Sequence, residues 1–142
     1  MSGGGEGVRV RPARAGESGT IARFNQAMAA ETENRRLEGR RLRAGVERVL
    51  ADPALGFYLV AEGAGGTAGC LLVTYEWSDW RSGCFWWIQS VYVEPQMRRR
   101  GVFRALYREV LRRAREAGAC GVRLYVEAEN RAAREVYRRI AG

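Results

Sequence analysis

The chain has 142 residues, 46% of them hydrophobic, which is enough for one domain with a core and too apolar for a disordered chain. Its formal net charge is +8, from 24 basic residues, all arginine, against 16 acidic ones, so polyanionic ligands are favoured. Histidine is absent and the three cysteines, Cys70, Cys84 and Cys120, lack C-x-x-C spacing, which excludes Ser-His-Asp triads, Cys-His dyads and the usual Cys/His zinc sites, so no metal site is expected.

Residues 1–7 are Gly-rich and read as a flexible lead without the apolar core of a signal peptide. No apolar run approaches the roughly 20 residues of a membrane span. A soluble cytoplasmic protein with reduced, partly buried thiols and no membrane partner is expected. Val8–Pro12 alternates as a first strand and Pro12 ends it. Ile21, Phe24 and Met28 share one face of a helix over Glu17–Ala30, with Ser18 or Thr20 as cap, followed by a polar link Glu31–Asn34. Leu42, Val46, Val49 and Leu50 give a second helix, ended at Asp52-Pro53.

Strands follow. Phe57–Glu62 is one, Gly63–Gly66 its turn, and Thr67–Glu76 the next. Trp77–Gly83 reads as a hairpin loop, and Cys84–Val93 returns as a long strand. After Pro95 and Gly101, apolar residues at helical spacing (Val102, Leu106, Val110, Ala114) predict a helix to about Ala117. Gly121–Glu127 reads as a short strand. Ala133, Val136, Tyr137 and Ile140 fall at i, i+3, i+4 and i+7, so Asn130–Ile140 is expected to be a last helix with Asn130 as its cap.

The junction Val91–Leu106 organises the chain. A strand, a break and a helix start bring free backbone N–H groups, the positive end of a helix dipole and Arg98, Arg99 and Arg100 to one place. That is a site for an anion, a phosphate or pyrophosphate above all.

Val-x-Val-x-Pro followed by Arg98-x-x-Gly101-x-Phe103 resembles the acyl-CoA pyrophosphate loop of the GNAT superfamily of N-acetyltransferases. Asn130-x-x-Ala133-x-x-Val136-Tyr137 is a second match in the right order. The resemblance covers nearly the whole chain. It implies an α+β, three-layer domain over 1–142, with a mixed, mainly antiparallel twisted sheet flanked by helices. Phe103 departs from the Gly/Ala of the family pattern, and a bulky side chain there is expected to turn into the core. The family adds two more strands beyond this last helix. Without them a sheet edge would stay exposed, and a homodimer through that edge or through the hairpin is expected.

The resemblance also implies site roles. Acetyl-CoA is the co-substrate, held by Val91, Tyr92, Val93, Arg98, Arg99, Arg100, Gly101, Val102, Phe103, Arg104, Asn130 and Ala133. A backbone N–H near Val91 holds the acetyl oxygen, and Tyr137 protonates the departing thiol. The acceptor is a small-molecule or peptide amine, attacking directly. From the residues themselves, Glu76, Glu127 and Glu129 are candidate bases at strand ends. Glu31, Trp77, Asp79 and Trp80 suit a cationic amine by charge and cation–π contact, and Gln89, which cannot act as a base, is placed with them. Two rivals stand beside this reading. One is a non-catalytic acyl-CoA-binding domain; the other is a basic nucleic-acid-binding module, disfavoured because the tryptophans lie in the acidic hairpin, away from the arginines.

Overall fold

The sequence folds around strands that share one sheet. The computed structural model describes residues 7–124 and the backbone of Val136–Arg139. In chain order the elements are β1 (Arg9–Pro12), α1 (Ser18–Glu33), α2 (Gly39–Ala51), β2 (Gly56–Gly63), β3 (Gly66–Ser78), β4 (Gly83–Val93), α3 (Val102–Ala117), β5 (Gly121–Leu124) and β6 (Val136–Arg139). They form one six-stranded sheet in the order β1-β2-β3-β4-β5-β6. Every pairing is antiparallel except β4 with β5, which run parallel because α3 carries the chain back between them.

Two apolar layers fix the helices. The buried stripe of α3, Val102, Ala105, Leu106, Val110 and Ala114, packs on Leu59, Leu71, Val73, Trp86 and Ile88. On the opposite face Ile21, Phe24 and Val46 of α1 and α2 meet Tyr58, Val60, Cys70 and Tyr92. Each fully buried Leu, Ile or Phe contributes about 1.5–3 kcal/mol relative to an exposed one. The three-layer α+β architecture expected from sequence is therefore present. The three cysteines are free. Among the described residues no helix is long and apolar enough to cross a membrane.

Three expected boundaries are corrected. α1 does not stop at Ala30: it runs through the polar Glu31–Glu33, and Asn34 ends it at φ 48°, its N–H on the Ala29 carbonyl. Asparagine tolerates this left-handed position, which gives the helix its C-cap. The hairpin loop is shorter than expected, because Trp77 and Ser78 still pair with Cys84 and Gly83. Val136–Arg139 is strand β6, not helix; it lies antiparallel on β5 with Tyr137 opposite Arg123. Valine and tyrosine favour a pleated surface, and the open edge of β5 supplies backbone partners that periodicity cannot register. The remainder of the expected last helix lies outside the described residues.

Candidate active site

The site begins with a defect in a strand. β3 and β4 pair in order as far as Leu72↔Ser90, and the next pair is Val73↔Ile88, so Gln89 is an extra residue in β4. Such a bulge bends the strand and interrupts its ladder. Among the described residues, β5 pairs with β4 only from Phe85 to Ile88. Past the bulge, Gln89–Val93 therefore runs on beyond the described pairing with β5. The Gln89 side chain donates from Nε2 to Thr74 Oγ1 at 2.8 Å.

Beyond β4 the chain tightens. Met97 and Arg98 donate their N–H groups to the carbonyls of Glu94 and Pro95, at 2.8 and 3.3 Å. Arg99 sits at φ 66° and Gly101 at φ 83°, and α3 starts at Val102. Gly101 is the residue that takes a left-handed φ without a Cβ penalty at this junction. The first helical bond is Ala105 N–H to the Gly101 carbonyl, 3.0 Å, so the N–H groups of Val102, Phe103 and Arg104 precede the helical ladder. The N–H of Arg98 is used by the turn and is not among these leading donors.

A cleft of about 400 Å³ opens here between the last turn of α1, the end of β4 and the start of α3. Val91, Tyr92, Val93, Arg98, Arg99, Gly101, Val102, Phe103 and Arg104 all line it, as does Glu31. Arg100 is exposed beside it. Sequence reasoning missed Met28, Thr32 and Met97, which complete the walls. Met28 and Thr32 were legible as a helical pair with Glu31, had α1 been extended.

The positive charge is partly engaged. Arg98 donates from Nη2 to Glu31 Oε1, 2.8 Å, and from Nε to the Val93 carbonyl, 2.8 Å. Its guanidinium lies 5.5 Å from the Tyr92 ring centre. Burial, with Glu31 and Glu94 adding their negative charge, pushes the Tyr92 phenol above its ordinary value. Glu31, expected to hold an acceptor, thus holds Arg98.

Phe103 does not turn into the core. It is 42% exposed and stacks on Tyr107, ring centres 5.9 Å apart. At the first turn of α3 the buried stripe is already filled by Val102, Ala105 and Leu106, so position 103 falls on the outer face.

Glu76 stands on the same sheet, opposite Phe85. Its Oε1 accepts from Trp87 Nε1 and, at 2.9 Å, from Arg123 Nη1. Arg123, which sequence reasoning passed over, also lies 4.3 Å from the Phe85 ring centre and 5.3 Å from that of Trp87. Glu76 is four residues along β4 from Gln89, about 13 Å of strand. The structure does not bring Trp77, Asp79 and Trp80 to the cleft. They lie at the hairpin end of β4, about 30 Å from Val93 along the strand. Trp77 is 64% and Trp80 95% exposed, whereas Trp86 is buried. Asn130, Ala133, Glu127 and Glu129 lie outside the described residues.

The sequence from residue 22 to 142 matches the family model described as the acetyltransferase (GNAT) family. A possible acetyltransferase from Clostridium difficile 630 is 41% identical, with a TM-score of 0.81 over 88% of this chain and 83% of that one. A predicted acetyltransferase with acetyl-CoA from Clostridium acetobutylicum is 15% identical, with a TM-score of 0.72 over 87% of this chain and 84% of that one. An aminoglycoside acetyltransferase from an uncultured soil metagenomic sample, in complex with sisomicin, is 13% identical, with a TM-score of 0.70 over 87% and 80%. The last two are similar in fold. No curated protein matches the sequence.

Proposed function

The chain belongs to the GNAT family of acetyltransferases, and on that premise we propose that it transfers the acetyl group of acetyl-CoA to a primary amine by direct attack in a ternary complex. What carries the proposal is the run from the bulge at Gln89 to the left-handed Gly101, which ends in an arginine-rimmed cleft. The residues present fit acetyl-CoA. Arg99, Arg100 and Arg104 supply charge for its phosphates, with the leading N–H groups of α3 beside them. The β4 segment Gln89–Val93 offers backbone groups to its pantetheine arm in the manner of an added strand. Asn130 and Ala133 join this set by their place in the sequence match.

When bound, acetyl-CoA supplies a thioester whose acetyl carbon an amine attacks. A β4 backbone N–H near Val91 holds the acetyl oxygen as charge develops on it. An alkylamine with a pKa near ~10 must first lose a proton. We assign that task to Glu76 through a chain of water, since its carboxylate is fixed on the sheet by Trp87 and Arg123, on the hairpin side of the bulge. Tyr137, on β6, donates a proton to the departing thiol. Gln89 and Trp87 lie along β4 between Val91 and the residue opposite Glu76, and we take them to mark where the acceptor enters.

The exposed Trp77 and Trp80 support a homodimer through the hairpin, and the free thiols suit the cytoplasm. The test is calorimetric titration of acetyl-CoA, followed by thiol release in the presence of primary amines. One-site binding that survives raised salt, with amine-dependent release, is expected. Binding without release across monoamines, polyamines, aminoglycosides and peptides would leave an acyl-CoA-binding domain instead.

A further inference from the structure

Phe103 and Tyr107 stand one turn apart on α3, where side chains four residues apart share a face. Their rings stack at 5.9 Å with 12° between their planes. Phe103 stays 42% exposed with Tyr107 against it, and it lines the mouth of the cleft beside Arg99 and Arg104. The phenyl is thus held flat by one neighbour and flanked by cations. Arginines alone serve a bare phosphate. An immobilised aromatic face among arginines serves a phosphate that carries a flat π-system, because every nucleobase stacks on such a face.

We propose that the outer face of Phe103 is a stacking platform for a nucleobase, the adenine at the far end of acetyl-CoA. The inference rests on the reading of the cleft as the acetyl-CoA site. A long ligand that lies along β4 with its diphosphate at the start of α3 leaves the cleft at Phe103. There Arg99 and Arg104 neutralise its phosphates, and the base finds the phenyl. The residue that departs from the small Gly/Ala of the family pattern thereby adds a nucleotide subsite to a loop that otherwise reads only phosphates.

The experiment is calorimetry on wild type, Phe103→Leu and Phe103→Trp with two probes: acetyl-CoA, and S-acetyl-4′-phosphopantetheine, which lacks the nucleotide. Leucine keeps apolar bulk and removes the π face. We expect Phe103→Leu to weaken acetyl-CoA about tenfold and to leave the truncated thioester unchanged. Phe103→Trp keeps the affinity, and acetyl-CoA quenches its emission beyond the wild-type response while the truncated thioester does not. Unchanged acetyl-CoA affinity in Phe103→Leu overturns the proposal. So does equal weakening for both probes, which marks a change in loop shape. Preference for a single-stranded oligonucleotide over acetyl-CoA, lost in Phe103→Leu, assigns the platform to nucleic acid and overturns it as well. Failure of wild type to bind either probe removes the reading of the cleft itself, and is seen before any variant is made.

Discussion

Arg98 joins two elements far apart in sequence: its Nη2 donates to Glu31 Oε1 at 2.8 Å while its Nε donates to the Val93 carbonyl at 2.8 Å. One guanidinium therefore ties the last turn of α1 to the end of β4, across the mouth of the cleft. In the proposed complex the incoming phosphates would compete with Glu31 for the charge of Arg98.

Glu31→Gln removes that competitor. Acetyl-CoA should bind severalfold more tightly, with the gain shrinking as salt rises, and stability should change by no more than about 1 kcal/mol, since the pair is half exposed. Calorimetry at two ionic strengths checks this. Weaker binding in Glu31→Gln would instead make the pair a support for the loop.

Gly101 holds φ 83° at the start of α3. Alanine there meets the left-handed penalty, about 1–2 kcal/mol. Gly101→Ala should lower the melting temperature and weaken acetyl-CoA together, because the same backbone angle aims the leading N–H groups. Gly101→Glu, which adds bulk and negative charge, should abolish binding. Full affinity in Gly101→Glu would show that the phosphates sit elsewhere.

Gly69 is opposite Val93, and a Cβ on it would come within 2.5 Å of the Tyr92 carbonyl oxygen. That oxygen is backbone and cannot step aside without moving β4. Gly69→Ala is expected to cost about 1–3 kcal/mol of stability by overpacking, measurable as a lower urea midpoint. Cofactor affinity should fall with it, as the displaced strand is a wall of the cleft.

The buried Arg11 donates to Glu17 at 2.6 and 2.9 Å and to Glu62 at 3.0 and 3.2 Å. Its hydrogen bonds hold both carboxyls below the ordinary glutamate value of 4.5. A depressed carboxylate contributes stability that is present above its unfolded pKa and lost as pH falls through the folded one. The urea midpoint of wild type should therefore drop as the pH is taken below 4.5. Arg11→Gln should be destabilised at neutral pH, where two carboxylates are left together without the guanidinium between them, and much less so once both are protonated. A constant difference between the two proteins across that range would show that the triad is not what titrates.

Tyr137→Phe should lower turnover about a hundredfold, within the range of general acid catalysis, and leave acetyl-CoA affinity unchanged. Stopped-turnover thiol release alongside calorimetry separates the two. Equal rates in the variant would take Tyr137 out of the reaction.

Much of the layered fold could be read directly from periodicity. The stripe Val102, Leu106, Val110 and Ala114 is the face of α3 that is buried, and Val91–Pro95–Gly101 marks the strand, stop and helix start that bound the cleft. Such features depend on a few adjacent residues, on glycine's tolerance of positive φ and on proline's missing donor. The signal failed where a short segment carried two meanings. Val136–Tyr137 fits a helical face and a pleat equally, and the open edge of β5 took it as strand. Asn34 reads as a linker residue until its left-handed angle makes it the end of α1.

The site shows the same division. The chain by itself determined that a break and a helix start follow β4, that arginines crowd that junction, and that no histidine or paired cysteine chemistry is available. Only the tertiary structure decided that Gln89 is the extra residue of β4, because a bulge is a property of two strands in register and neither strand alone records it. Only it decided that Glu31 partners Arg98, 67 residues away, and that Trp77 and Trp80 stand at the far end of the strand from the cleft. Local backbone preference acts over a turn or a few residues of strand. Charge pairing, bulges and the outward aim of Phe103 arise from which surfaces burial has already claimed, and that is settled when the layers pack.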